Sequence, residues 1–349
     1  MLILITEIDH QTIKKSQSNH DKYFMLHYLV NNINNQYVDN YGNLLVNYKF
    51  IVSKNLIDNK NKLKEYFINQ YGELPNYIIS FGNFDVLSSI YDKIIEYCKL
   101  VVILCDIHHG KSIKKYRLPV LLKSTYILNN YGYIYEKYYP KHHGNIFFPH
   151  SIAYTIDFND SPIKKILISG HLNEDIYPDR QTMYKKSKIN NNIYYHSPDY
   201  CGYRVSEKDY DKTYGNKYYK LLNEYLCCFT DDANDSRPYI VAKFFEIMGS
   251  GSLLLASNNR TKNEFLKLGF IDYVHYISCN MENVDEKINY ILDAKNINHI
   301  NEIRQNGYLL VNKKHSFKER AQQIHNLLYN NIEVSECMTS YGTSYKMIN

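Results

Sequence analysis

The sequence has no tryptophan, no Cys-x-x-Cys pair and no concentrated block of basic residues, and each absence closes off a class of protein. Its seven cysteines (Cys98, Cys105, Cys201, Cys227, Cys228, Cys279, Cys337) are odd in number and scattered. They form neither a disulfide framework nor a zinc site, which predicts free thiols in a reducing compartment. No apolar stretch approaches about 18 residues, so no membrane-spanning helix is expected. The N-terminal MLILITEIDH has too short an apolar run for the centre of a signal peptide, and a soluble, cytoplasmic or intracellular protein is expected. A net charge of +5 is mild for 349 residues. Anionic small molecules suit that balance better than nucleic acid.

What is present is a chain rich in Asn, Ile, Lys and 37 Tyr, the usage of an AT-rich genome, so its polar runs carry little functional weight. The length suits two α/β domains of ordinary size. Short apolar runs at 2–6, 48–53, 77–81, 100–106 and 145–149 read as strands, alternating with helical patterns at 21–33, 60–71, 86–98 and 118–131. The polar DFNDSPIKK (157–165) reads as a linker. A second strand series then follows at 165–169, 192–197, 226–230, 252–257 and 274–278. Strands alternating with helices imply parallel sheets. The expected fold is therefore α/β, with a Rossmann-like domain over 1–160, another over 161–330, and a polar, disordered tail at 331–349. Ser316 and Glu319 form a capping box, and Phe317, Ala321, Ile324 and Leu328 form the apolar stripe of a last helix expected to cross back to the first domain.

The most informative stretch is RPYIVAKFFEIMGSGSLLLAS (237–257). Ile240, Val241, Phe244, Phe245, Ile247 and Met248 make one buried helical face. Tyr239, Lys243 and Glu246 fall on the opposite stripe, which faces either water, with Lys243 and Glu246 as an i,i+3 ion pair, or a ligand. Asp235 and Ser236 are good N-caps and Pro238 suits a first helical turn, so this helix start is predicted to attract phosphate, with Arg237 adding charge.

The order of YPDR (177–180), HSPDY (196–200), the 237–257 block, FLKLGF (265–270) and NGYLLVNKKHSFKER (306–320) resembles the C-terminal half of GT-B glycosyltransferases. It is similar to the "glycosyl transferases group 1" type and its spore-maturation-protein-like branch, over residues 165–328. The resemblance implies two Rossmann-like domains facing a cleft, with a nucleotide-sugar donor, UDP-sugar as first choice, in the second and a hydroxyl acceptor in the first. It implies that Arg180 and Lys185, in an R-x4-K arrangement, grip the donor diphosphate. It also implies that Glu246 accepts hydrogen bonds from the ribose hydroxyls. The nucleotide-sugar is substrate, and no cofactor or metal is expected.

In the first half, CDIHHG (105–110) ends a strand, where ligands of open α/β sheets bind. Asp106 and His109 there are candidates to deprotonate the acceptor or steady the sugar, or they belong to a polar loop. One departure stands out. The glutamate eight positions before Glu246, common in retaining members of the superfamily, is here Pro238. Two alternatives follow: a nucleotide-binding relic without catalysis, or a GT-A-type transferase holding a metal with DDAND (231–235).

Overall fold

The computed structural model describes residues 1–6, 20–38, 44–82, 84–105, 114–131, 135, 139, 141–196, 215–234 and 238–329. Strands β1 (Leu2–Thr6), β2 (Asn47–Ile51), β3 (Tyr77–Phe81), β4 (Lys99–Leu104), β5 (Tyr126–Asn129) and β6 (Asn145–Phe147) form one sheet in the order β2-β1-β3-β4-β5-β6. Helices α1 (His20–Tyr28, continued by a π-turn at Leu29–Ile33), α2 (Ser53–Asp58), α3 (Leu63–Tyr71), α4 (Phe84–Ile94) and α5 (Lys114–Lys123) connect them. A second sheet holds β7 (Ile163–Ser169), β8 (Ile193–His196), β9 (Tyr225–Asp231), β10 (Leu253–Ser257) and β11 (Ile277–Cys279), in the order β11-β10-β9-β7-β8. Its helices are α6 (Pro178–Ser187), α7 (Asn216–Glu224), α8 (Ala242–Gly249), α9 (Lys262–Lys267), α10 (Val284–Leu292) and α11 (Ile297–Lys314). A last helix, α12 (Phe317–Leu328), follows.

All strand pairs are parallel, and β1, β9 and β10 are buried along their whole length. Parallel strands covered on both faces read as unbroken apolar runs, and LILIT and SLLLAS do so. In the second sheet alternate residues serve different cores. Leu167, Cys228 and Leu254 join a cluster that continues into the first domain, while Ile166, Ile168, Cys227, Phe229, Leu253 and Leu255 pack the other face.

Two sequence expectations are corrected here. Residues 118–131, expected as one helix, are the end of α5 and then β5, a strand hydrogen-bonded to β4 and β6. A four-residue apolar run carries no period of its own, and partners on both sides decide for strand. The strand expected at 274–278 is confined to Ile277–Cys279, because Tyr273 turns the chain with a φ of 58°.

The last helix crosses back as expected. Ser316 Oγ accepts the Glu319 N–H at 3.3 Å, starting α12 against the first domain, where Phe317 packs on Phe24 and His325 Nδ1 meets Tyr48 OH at 3.1 Å. The segment between the sheets is held tightly. Arg320, fully buried, donates to the carbonyls of Pro149 (3.1 Å), His150 (3.0 Å) and Lys314 (3.2 Å), and Arg304 to those of Gly251 (3.1 Å) and Asn159 (2.8 Å). Among the described residues no helix is long and apolar enough to cross a membrane.

Gly307 marks a close crossing. A Cβ added there would sit 2.5 Å from the carbonyl oxygen of His275, a backbone atom with no room to retreat. Gly307→Ala is expected to cost about 1–2 kcal/mol of stability by overpacking, read as a lower denaturation midpoint with unchanged slope.

Candidate functional site

In an open parallel sheet, ligands bind beyond the carboxyl ends of the strands where the strand order reverses. In the second sheet that point lies between β7 and β9. Four side chains converge there. Ser169 Oγ, at the end of β7, shares a 2.9 Å hydrogen bond with Tyr218 OH of α7. Lys243 Nζ, from the first turn of α8, donates to the same hydroxyl at 2.9 Å. Arg180, in the first turn of α6, donates from Nη1 to the His171 carbonyl at 3.2 Å and lies 2.8 Å from Asp231 of β9. Gly170 is the floor between the two cations: with φ of 97° it carries no side chain, and a Cβ would fall 2.7 Å from Lys243 Nζ and 3.6 Å from Arg180 Nη1. The position needs glycine twice over, for its left-handed backbone and for the space.

One turn along α8, Glu246 is half-buried, and among the described residues its carboxylate has neither a hydrogen-bond nor an ion-pair partner. Burial pushes its carboxyl up to about 7, against the pull of Lys243 and with a push from Asp21 of the first domain. Lys243 is pulled down to about 8, first by burial and then by Arg180. The i,i+3 ion pair of Lys243 with Glu246, which belonged to the solvated-face alternative, does not form, since no ion-pair contact joins them. Lys243 turns toward Gly170 instead.

Arg180 is more deeply set than a surface cation. It is 2% exposed, stacks on the Tyr177 ring at 4.0 Å and donates to Thr230 Oγ1 at 3.1 Å, while its backbone N–H caps onto Asp231 Oδ2 at 2.9 Å. Lys185 stands elsewhere on α6, 64% exposed and 3.7 Å from the equally exposed Glu174.

The expected helix start is corrected. α8 begins at Ala242 with Val241 in the cap position, at φ −81° and ψ 154° and without a side-chain cap, so Pro238 is not in its first turn; Asp235 lies outside the described residues. A proline disfavours helix in the residue before it. Tyr239 and Ile240 are buried ahead of the helix, where Tyr239 OH meets Tyr177 OH at 3.0 Å. Ser236 and Arg237 lie outside the described residues, as do Asp106 and His109.

The first sheet faces this site. Tyr131, just past β5, packs edge-on against Tyr239 at 4.9 Å, so the carboxyl ends of both sheets meet at the domain boundary. Behind Tyr131, His150 lies 3.9 Å from Asp21, whose carboxylate also takes Lys22 Nζ at 2.8 Å and the Ser151 N–H at 3.2 Å.

Two of the DDAND carboxylates, those of Asp231 and Asp232, are occupied by protein. Asp231 pairs with Arg180, and Asp232 accepts from Arg260 Nη1 at 2.9 Å and Thr261 Oγ1 at 3.1 Å. Among the described residues no three His, Cys, Asp or Glu side chains converge as a metal site. Two parallel sheets also replace the single-domain fold that the GT-A alternative requires.

The glycosyl transferase-like family matches residues 169–326, an interval holding Gly170, Arg180, Lys243 and Glu246. No curated protein matches the sequence. Among solved structures, HepE of Anabaena in complex with UDP-glucose superposes with a TM-score of 0.59 at 9% identity, over 95% of this chain and 100% of that one. A glycosyltransferase of Rickettsia africae gives 0.56 at 11% identity over 95% and 99%. Sucrose-phosphate synthase of Thermosynechococcus elongatus gives 0.54 at 8% identity, also over 95% and 99%. Residues 169–326 thus match the glycosyl transferase-like family, and the chain has the two-sheet GT-B fold.

Proposed function

We propose that the chain moves a sugar from a nucleoside diphosphate sugar to a hydroxyl acceptor without a metal ion, binding the donor at the β7–β9 switch point. The observation that carries this reading is Glu246: a half-buried carboxylate with no protein partner among the described residues, one turn from a cation. A half-buried carboxylate without a protein hydrogen bond is only partly solvated, and a ribose diol supplies two donors to it. Gly170 lets Lys243 Nζ and Arg180 Nη1 approach the end of β7, and a diphosphate placed beside them would meet positive charge as its own negative charge grows with the breaking glycosidic bond. Arg180 and Arg260 already hold Asp231 and Asp232, which supports charge neutralisation by protein rather than metal. Tyr239, and beyond it Arg237 and Ser236, border the donor; Asp106 and His109, after β4, are the proposed acceptor-side groups. The UDP-glucose bound by HepE makes UDP-sugars the first donors to test.

Pro238, where a sugar-contacting glutamate is common, favours a second reading as a binding protein without turnover. A donor panel of UDP-, GDP- and ADP-sugars with EDTA present tests both: release of nucleoside diphosphate supports transfer, binding without release supports the second reading, and a strict need for Mn²⁺ overturns metal independence.

The donor site is expected to titrate. The groups facing Glu246 are Lys243, Asp21, Tyr218 and Tyr219, and ribose binding needs the carboxylate. UDP affinity should therefore fall as pH drops below about 7, up to tenfold per pH unit. Glu246→Gln should abolish that dependence, leaving only the phosphate's own titration. Calorimetric titration between pH 5.5 and 7.5 reads the difference.

A further inference from the structure

We propose that Lys243, and not Lys185, supplies the uncompensated positive charge that holds the donor diphosphate, so that one turn of α8 reads both ends of the ligand: ribose through Glu246 and phosphate through Lys243. The inference rests on the donor-site reading above and specifies which cation acts there.

Three cations compete for the role, and their surroundings separate them. Arg180 reaches the Gly170 floor, but its charge is offset by Asp231 at 2.8 Å inside a buried pair. Lys185 points to solvent, where Glu174 at 3.7 Å is its partner. Lys243 has a neutral partner: Tyr218 OH accepts from it at 2.9 Å and shares a 2.9 Å hydrogen bond with Ser169 Oγ. Among the described residues no carboxylate lies within ion-pair distance of its Nζ. An ammonium removed from water without a counter-charge is unfavourable unless a ligand completes it. Only glycine at 170 lets the ammonium lie against the strand end, since a Cβ there would fall 2.7 Å from Nζ. An anion seated on the strand end therefore meets Lys243 directly. The Tyr218 hydroxyl fixes the direction of the ammonium beforehand, which lowers the entropy cost of gripping a phosphate.

The spacing fits one nucleotide. Residues three apart on a helix project side by side, with about 5–6 Å between their Cβ atoms. Lys243 and Glu246 diverge from that base, one to the strand end and one toward the domain boundary. A nucleoside diphosphate lying across α8 contacts both.

The experiment compares uridine, UMP and UDP binding, by calorimetry at pH 7.5 with EDTA, to the full chain and its Lys243→Met and Lys185→Met variants. UDP affinity is expected to fall at least about tenfold in Lys243→Met, UMP less, and uridine least, by the loss of Lys243's support for the Glu246 carboxylate alone, while Lys185→Met changes UDP binding less than about twofold. Lys243→Arg should restore most of the UDP affinity. Ligand-free melting of Lys243→Met should equal or exceed that of the parent, since an apolar chain replaces an uncompensated ammonium. If Lys243→Met does not fold, Lys243→Gln, which keeps a donor for Tyr218, takes its place. Unchanged UDP affinity in the Lys243 variants, equal losses for uridine and UDP, or a loss carried by Lys185→Met would each overturn the inference. Failure of the parent chain to bind UDP, GDP or ADP would instead overturn the donor-site reading beneath it.

Discussion

Glu246→Gln is expected to weaken UDP binding by about 10- to 150-fold while raising, not lowering, the stability of the ligand-free protein. The binding loss follows from exchanging charge-assisted hydrogen bonds to a diol for neutral ones. The stability gain follows from the environment of the side chain. Its carboxyl sits at about 7 in the fold against an ordinary 4.5, because burial and Asp21 disfavour the charge more than Lys243 favours it. A carboxyl raised in the folded state contributes stability below its unfolded value and loses that contribution as pH climbs through 7. At pH 8 the wild-type protein carries the full cost of the buried charge and the Gln variant does not. Partial solvent access and the lost attraction on Lys243 leave a gain on the order of 1 kcal/mol at that pH. A solvated glutamate would change neither quantity, and a structural ion pair would lower the melting temperature. Binding and melting measured on the same variant separate the three.

Arg320→Ala is expected to destabilise the chain by about 3 kcal/mol or more, to the point of poor expression. The guanidinium donates to three carbonyls and to His315 Nδ1 at 3.0 Å, joining α12, α11 and the segment between the sheets. His315 Nε2 in turn meets the Leu268 carbonyl at 3.0 Å, and burial, with Arg320 beside it, holds the ring neutral, its pKa well below the usual range. Truncation removes the guanidinium from four acceptors and leaves a void the size of a long side chain. Lysine offers one point of attachment where four are needed, so Arg320→Lys should recover little. Urea unfolding checks this, and a loss under 1 kcal/mol would show that the crossing between domains is held by the apolar contacts of Phe317 and Ile324 instead.

Much of the architecture was legible because parallel strands buried on both faces announce themselves. LILIT, YIISF and SLLLAS stand within a residue of their observed bounds, and the Ser316–Glu319 box starts the last helix where its spacing places it. β5 was not legible: YILN is too short to show a period, and its identity as a strand comes from β4 and β6. The start of α8 was misplaced because Ser236 and Pro238 are good local start signals, yet Tyr239, Ile240 and Val241 are buried ahead of the helix rather than within it.

In the site, the stripe holding Tyr239, Lys243 and Glu246 was visible from spacing, but the partner of each was not. Spacing offered Lys243 either a pair with Glu246 or a ligand, since neighbours along a helix are all that sequence displays. Tyr218 and Gly170, which redirect it, come from 25 and 73 residues away in the chain. Arg180 showed the reverse: the sequence displayed a cation and hid Asp231 opposite it.

The most direct test of the donor site is a crystal structure of the chain grown with UDP and EDTA. The expected map places the ribose hydroxyls within about 3 Å of the Glu246 carboxylate and the diphosphate over Gly170, between Lys243 Nζ and Arg180, with no metal between phosphate and Asp231 or Asp232. UDP bound at the carboxyl end of the first sheet, or a metal ion bridging its phosphates to those aspartates, would contradict it.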